Sequence, residues 1–262
     1  MSFLYHADVT RLIIADSHLG QRPGDAAEMC ALIRRAAEQG VGEVIYLGDT
    51  FQYLIGMSKF WTSAVRTVLA AWDEVRATGV RVVLIEGNRD FFLDEAELSD
   101  RVDAVGRGYE FTADSRRYRL VHGDRVNLRD HQYRFWSAVS KSRIARLWAR
   151  LLPKPIAVAI VTHMEARLAK TNRKFRYRKP VADFRRTASE AWAEGVDVLF
   201  WGHFHTLWSI RNGDGLAMVI PAWLETEGSV LVADDGSWQW VGTDLEPREI
   251  PEPLNGPAKG TS

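Results

Sequence analysis

Seven side chains able to ligate a metal stand just past apolar runs of the chain. Asp16 and His18 follow VTRLIIA, Asp49 follows EVIYLG, Asn88 follows VRVVLIEG, His122 follows RYRLV, and His203 and His205 follow VDVLFWG. Only His6, His131 and His163 of the seven histidines lie outside this set. Imidazole and carboxylate donors together suit Mn, Fe, Zn, Co or Ni rather than calcium. Seven ligands are too many for one ion but serve two when one carboxylate is shared. Two ions about 3.5–4 Å apart can clamp both the attacking and the leaving oxygen of an in-line phosphoryl displacement. Taken singly, an Asp after a strand is often a turn or helix cap, and a lone His is often a core residue. Five strand ends carrying such residues together call for a common cause.

That cause requires the apolar runs to be strands whose carboxyl ends share one side of a sheet. VTRLIIAD (9–16), EVIYLGD (43–49) and VRVVLIEG (80–87) read as buried strands. Between them, residues 25–39 place Met29, Leu32, Ile33 and Ala36 on one helical face. Residues 58–78 repeat Trp61, Val65, Val68, Leu69, Trp72 and Val75 at helical spacing. The alternation implies right-handed crossovers and a largely parallel sheet with helices on both faces. In such sheets ligands bind outside the carboxyl ends of the strands. RYRLVHGD (117–124) and VDVLFWGH (196–203) read as further strands and 181–194 as a helix, with antiparallel hairpins at NGDG (212–215) and DDGS (234–237).

The net charge of zero hides an uneven spread. Residues 125–180 hold 15 Lys or Arg against two acids, Asp130 and Glu165, a balance of +13; the other 206 residues hold 19 basic and 32 acidic, a balance of −13. A basic segment in an acidic body points to an anionic partner: phosphate, nucleic acid or a membrane surface. A single cysteine, Cys30, excludes an internal disulfide framework and fits a reducing compartment; it shares a helical face with Met29 and Ile33 and reads as packing. The chain enters a strand within ten residues, so no signal peptide is expected. No apolar run approaches the roughly 18 residues that span a bilayer. Residues 247–262 are expected to form a disordered tail.

In order, DSH, GD, GNRD, HG and GHFH run from residue 16 to 205. They resemble the motif set of the calcineurin-like metallophosphoesterase superfamily. The resemblance implies an α/β sandwich of mixed sheets flanked by helices, with an inserted helical cap. It also implies two divalent ions: Asp16, His18, Asp49 and His205 on one, and Asp49, Asn88, His122 and His203 on the other, Asp49 bridging. Most members place a histidine after the asparagine as a proton donor. Arg89 stands there in this chain. Arginine is no acid at neutral pH, but its fork matches phosphate oxygens. Asn88 and Arg89 are thus the expected catalytic pair, Arg89 neutralising transition-state charge and Asp90 orienting Arg89 or capping the next turn.

GNRDFF together with HGDxxxxxDxxY resembles a narrower family, the UDP-2,3-diacylglucosamine hydrolases of lipid A biosynthesis. The resemblance implies Mn(II)-dependent cleavage of the substrate pyrophosphate to UMP and 2,3-diacylglucosamine 1-phosphate. Arg89, Asp130, Tyr133 and Asn172 would contact the headgroup. Leu54, Leu168 and Phe175 stand where that family has Trp, Ser and Lys. The implied layout is a core of 1–124 and 181–246 interrupted by a cap at 125–180. In the cap, Trp136, Ile144, Leu147, Trp148, Leu151 and Leu152 form an apolar stripe, Arg143, Arg146 and Arg150 share another face, and IAVAIV (156–161) follows two prolines. An apolar interior with a basic rim could hold acyl chains while sitting on anionic lipid, at about 1 kcal/mol per surface basic residue. The expected partners are a lipid-linked sugar nucleotide and the anionic inner-membrane surface, with the protein cytoplasmic and peripheral on that membrane. No nucleic acid and no obligate protein partner are expected. Two alternatives stay open: a phosphoesterase for a soluble nucleotide, and a nuclease using the basic cap. The cap aromatics are spaced for helical burial rather than base stacking, and a steep salt dependence would identify a nuclease.

Overall fold

The structure is a computed structural model that describes residues 9–126, 139–160, 163 and 180–250. The first half alternates β1 (Arg11–Ile14), α1 (Asp25–Glu38), β2 (Glu43–Tyr46), β3 (Leu54–Ile55), α2 (Ser63–Ala77), β4 (Arg81–Ile85), β5 (Asp90–Phe91), α3 (Ala96–Ser99) and β6 (Ala104–Gly106). A hairpin of β7 (Gly108–Ala113) and β8 (Arg116–Val121) follows, then α4 (Arg143–Leu151) and α5 (Val181–Ala193). The chain continues through β9 (Val198–Trp201), β10 (Trp208–Asn212), β11 (Gly215–Val219), α6 (Trp223–Thr226), β12 (Ser229–Val232) and β13 (Trp238–Val241).

The strands form two main sheets, ordered β13-β12-β1-β2-β4-β6 and β10-β11-β9-β8-β7, plus a small β3-β5 pair. β1, β2, β4 and β6 are parallel to one another, and so are β8, β9 and β11. Antiparallel strands close the edges, with β12 and β13 on the first sheet and β7 and β10 on the second. Every position of β1 and β2 is buried because both faces are covered, but by different layers. Leu12, Ile14, Val44, Tyr46, Val82 and Leu84 face α1 and α2. Alternate residues Ile13, Ile45, Val83 and Ile85 face the second sheet, meeting Phe111, Leu120, Phe200 and Met218. On the far side of that sheet, Leu199, Trp201 and Val219 pack against Phe184, Ala188 and Ala191 of α5. The sandwich of mixed sheets flanked by helices that the motifs imply is therefore what forms, and the parallel sheet read from the strand–helix alternation has helices on one face and the second sheet on the other. Continuous apolar strands show that both faces are buried, not whether helix or sheet covers them.

Three local differences have physical reasons. The helix expected over 58–78 is a 3₁₀ turn at Ser58–Phe60 followed by α2, because Thr62 caps α2 by accepting from the Val65 N–H (3.3 Å) while the Trp61 indole donates to the Ile55 carbonyl (2.9 Å). β7 escaped the sequence reading. Its turn uses Asp114 and Ser115, both with positive φ (42° and 64°), where Asn-Gly or Asp-Gly is the usual signal. Residues 247–250, assigned from sequence to the tail, lie along β13: the Arg248 N–H donates to the Trp240 carbonyl (2.9 Å) and Ile250 packs on the inter-sheet core.

Candidate metal centre

The strand ends deliver the expected residues to one place by bending the backbone sharply. Ten non-glycine residues among those described have positive φ, and five are Asp16 (48°), His18 (44°), Asp49 (50°), His203 (69°) and His205 (53°). Each such residue carries strain of order 1–3 kcal/mol that the surrounding structure must hold. Two glycines permit the close approach. A Cβ on Gly48 would lie 2.3 Å from His122 Nδ1, and one on Gly87 would lie 2.4 Å from both the Asp49 nitrogen and its Oδ1. Asp16, His18, Asp49 and His122 form a buried floor; Asn88, Arg89, His203 and His205 are half-buried around it.

Two groups of donor atoms converge. His18 Nε2 and His205 Nε2 lie 3.2 Å apart with the rings stacked, and Asp16 Oδ1 is 3.6 Å from His205 Nε2. On the other side, His122 Nε2 is 3.1 Å from Asn88 Oδ1 and 3.6 Å from Asp49 Oδ1. The His122 Nδ1–H donates to the Leu47 carbonyl (2.9 Å), which turns Nε2 toward the oxygens of Asn88 and Asp49. His203 stands edge-on to His122 at 5.1 Å, and its backbone N–H donates to Asp16 Oδ2 (2.7 Å). Asp16–His18–His205 and Asp16–Asp49–His122 each place ligand atoms within 4.8 Å of one another.

Imidazole nitrogens and carboxylate oxygens crowd together in a buried floor, and the buried Asp16 Oδ1 has no hydrogen-bond partner, a lack that a cation would fill. The donor set therefore fits divalent ions. Burial pushes the Asp16 carboxyl up; it lowers His122, but the Asp49 and Asp16 carboxylates outweigh it and raise that imidazole to about 9, a proton it would release on ligating a metal. Burial holds His18 well below the usual imidazole range, and burial with His122 nearby holds His203 at about 4, so both are neutral and able to ligate. Burial pushes the Asp49 carboxyl up, but the neighbouring His122 imidazolium and Arg89 guanidinium outweigh it and keep it ionised.

Sequence reasoning misplaced one role and missed others. Asp90 does not orient Arg89. Its Oδ2 accepts from the backbone N–H of Gly87 (2.7 Å) and of Asp49 (3.0 Å), tying together the loops after β4 and β2. Gln52, in a stretch without a motif, holds Arg89 instead: the guanidinium Nη1 donates to Gln52 Oε1 (3.1 Å), and Arg89 Nε lies 3.6 Å from Asp49 Oδ2. Glu225 of α6 places Oε1 3.5 Å from His205 Nδ1, too far for a hydrogen bond but on the side from which a carboxylate would orient a ligating imidazole. Asp130, Tyr133 and Asn172 lie outside the described residues. Replacing Asp90 with alanine leaves two buried N–H groups without an acceptor, each costing roughly 1–3 kcal/mol. Urea denaturation of Asp90→Ala should show a clear loss of stability; a wild-type midpoint would contradict the tie.

The described part of the cap sits directly on this loop. Ala145, Ala149, Leu152 and Ala157 pack against Phe92, Tyr53, Met57 and Phe60, which explains the paired phenylalanines of GNRDFF. Arg146 pairs with Asp94 (3.0 Å) and stacks over Phe92 (5.1 Å), Arg150 pairs with Glu95 (2.9 Å), and the Lys59 ammonium donates to the Arg150 and Leu152 carbonyls at the end of α4 (2.8 Å each). The expected orientation is thus reversed. Arg146 and Arg150 face the acidic body, while Ile144, Leu147, Trp148 and Leu151 are 57–71% exposed. Leu152 turns inward with the small alanines, and Trp136 lies outside the described residues.

A two-sheet sandwich whose strand ends gather imidazoles and carboxylates around bare donor atoms belongs to a metal-dependent phosphoesterase. Residues 9–207 match the calcineurin-like phosphoesterase family, and the chain is a member of it. A protein of Stenotrophomonas maltophilia (strain K279a) named UDP-2,3-diacylglucosamine hydrolase is 28% identical over 253 residues, spanning 88% of this chain and 97% of its own. One of the same name from Ralstonia nicotianae (strain ATCC BAA-1114 / GMI1000) is 29% identical over 238 residues, spanning 85% and 88%. Among solved structures, a dimetal phosphatase from Danio rerio aligns with a TM-score of 0.45 at 14% identity, covering 91% of this chain and 100% of its own. No helix among the described residues is long and apolar enough to cross a membrane.

Proposed function

We propose that the chain hydrolyses the pyrophosphate of UDP-2,3-diacylglucosamine, releasing UMP and 2,3-diacylglucosamine 1-phosphate, with two divalent ions, Mn(II) expected. The observation that carries the hydrolytic chemistry is the pair of convergent donor sets around Asp16 and Asp49. The substrate rests on the name shared by the relatives and on the apolar outer face of α4 beside the site. Asp16, His18, Asp49 and His205 hold one ion; Asp49, Asn88, His122 and His203 hold the other. Bound there, the ions supply Lewis acidity and lower the pKa of water. Arg89, held by Gln52, aims its fork at the phosphoryl oxygens. Asp130, Tyr133 and Asn172 complete the headgroup contacts.

The cap at 125–180 divides the core into 1–124 and 181–246. Ile144, Leu147, Trp148 and Leu151 present an apolar surface that suits acyl chains and a bilayer interface, in a segment of balance +13. The protein thus works at the cytoplasmic face of the inner membrane. Acyl contacts remote from the reacting bond can orient the pyrophosphate over the metals, each buried CH₂ contributing about 0.8 kcal/mol. A side-by-side assay of UDP-2,3-diacylglucosamine and UDP-glucosamine should show kcat/KM lower by well over tenfold for the second. Equal turnover of the two would instead favour a soluble nucleotide substrate.

A further inference from the structure

Lys141 is the one described cap residue whose side chain reaches the backbone of the loop after β4. Its ammonium donates to the Gly87 carbonyl (2.7 Å) and to Glu86 Oε1 (2.6 Å), and its side chain is only 10% exposed. The other anchors of the cap lie elsewhere: Arg146 on Asp94, Arg150 on Glu95, and Lys59 on the Arg150 and Leu152 carbonyls.

Gly87 is consequently held on three sides. Asp90 accepts from its nitrogen, Lys141 donates to its oxygen, and Asp49 packs too closely against its Cα for any side chain. The next residue is Asn88, whose Oδ1 lies 3.1 Å from His122 Nε2. The one after is Arg89, whose N–H donates to Asp49 Oδ1 (2.9 Å). The carbonyl gripped by Lys141 belongs to the peptide that carries Asn88, so its direction sets where the Asn88 side chain starts. Glu86 neutralises the ammonium, which lets a cation sit this close to a metal centre without repelling its ions.

We propose that Lys141 is a positioning residue for the ion held by Asn88, and that it ties the seating of the cap to the geometry of that site. Only when the cap is down does the Gly87–Asn88 peptide have its charged donor. The inference rests on the reading of Asn88 as a metal ligand under the proposed function.

The test measures Mn(II) binding by calorimetry to metal-stripped full-length wild type, Asn88→Ala, Lys141→Arg, Lys141→Gln, Lys141→Met and Arg150→Gln, with thermal melts to select folded variants. Wild type should bind two ions, and Asn88→Ala should weaken one. Loss of a partner that orients a ligand typically lowers metal affinity about 10–100-fold. Lys141→Met should therefore weaken the same single ion by at least about tenfold, with Lys141→Gln intermediate and Lys141→Arg nearest wild type. Arg150→Gln, which loosens the cap without touching Gly87, should leave both affinities unchanged. If the folded Lys141 variants bind both ions like wild type while Asn88→Ala loses one, this inference alone falls. If Asn88→Ala keeps both ions, the ligand reading falls and takes this inference with it. Equal weakening in Arg150→Gln and Lys141→Met would show that cap seating in general, and not the Gly87 contact, controls the site.

Discussion

Asp49→Ala should lose both metal ions and nearly all activity. Asp49 belongs to the donor group with Asp16 and His122, its Oδ1 lying 3.6 Å from His122 Nε2 and accepting from the Arg89 N–H at 2.9 Å. Its carboxylate stays ionised despite burial because the His122 imidazolium and the Arg89 guanidinium lie beside it. Under the proposed ligand sets, removing it takes away the shared ligand, and it frees the loop that carries Asn88 and Arg89. Asp16, not Asp49, belongs to both convergent triads, so the two aspartates make an internal comparison. Under the proposed ligand sets Asp16→Ala should lose one ion and Asp49→Ala two. Elemental analysis of purified variants reads this directly, and two ions per chain in Asp49→Ala would refute the bridging role.

Arg89→Ala should cut kcat by about 10²–10³ while keeping both ions. A positioned charge aimed where phosphoryl charge develops is worth roughly 3–4 kcal/mol in the transition state. The guanidinium is only 12% exposed and is held by Gln52 and Asp49, so its fork is oriented before substrate arrives. Lysine cannot reproduce two parallel donors, and Arg89→Lys should recover little of the loss. Steady-state kinetics beside metal analysis separates the two possible failures. Wild-type kcat in Arg89→Ala would remove the residue from catalysis, whereas lost metal would make it a structural support of Asp49.

The convergence of the candidate ligands could be read from the chain because each closely follows a buried strand, and strand ends fix position to within a residue or two. Asp16, His18, Asp49, Asn88, His122, His203 and His205 needed no knowledge of long-range packing. Their supporting residues did. Gln52 and Glu225 act through contacts with residues far along the chain, and nothing in GDTFQY or WLET marks them. Asp90 was assigned to the wrong partner because sequence places it next to Arg89, whereas the turn points its carboxylate back at Gly87 and Asp49. The motif resemblance implied the second sheet, but burial pattern alone could not show it, since Ile13 and Leu12 look alike although one meets a sheet and the other a helix. The cap shows the same limit in another form. Helical spacing separated its apolar and basic faces, but which face turns inward depends on Asp94, Glu95 and Phe92, which lie in a different part of the chain.

The most direct test of the proposed activity is product analysis after incubating the metal-loaded protein with UDP-2,3-diacylglucosamine and Mn(II). Phosphorus NMR and mass spectrometry should find UMP and 2,3-diacylglucosamine 1-phosphate in equal amounts, and neither product with Asp49→Ala. An intact diacyl nucleotide, from a preparation that holds two ions and cleaves a simple phosphodiester, would contradict the proposed substrate and leave only the phosphoesterase chemistry of the site.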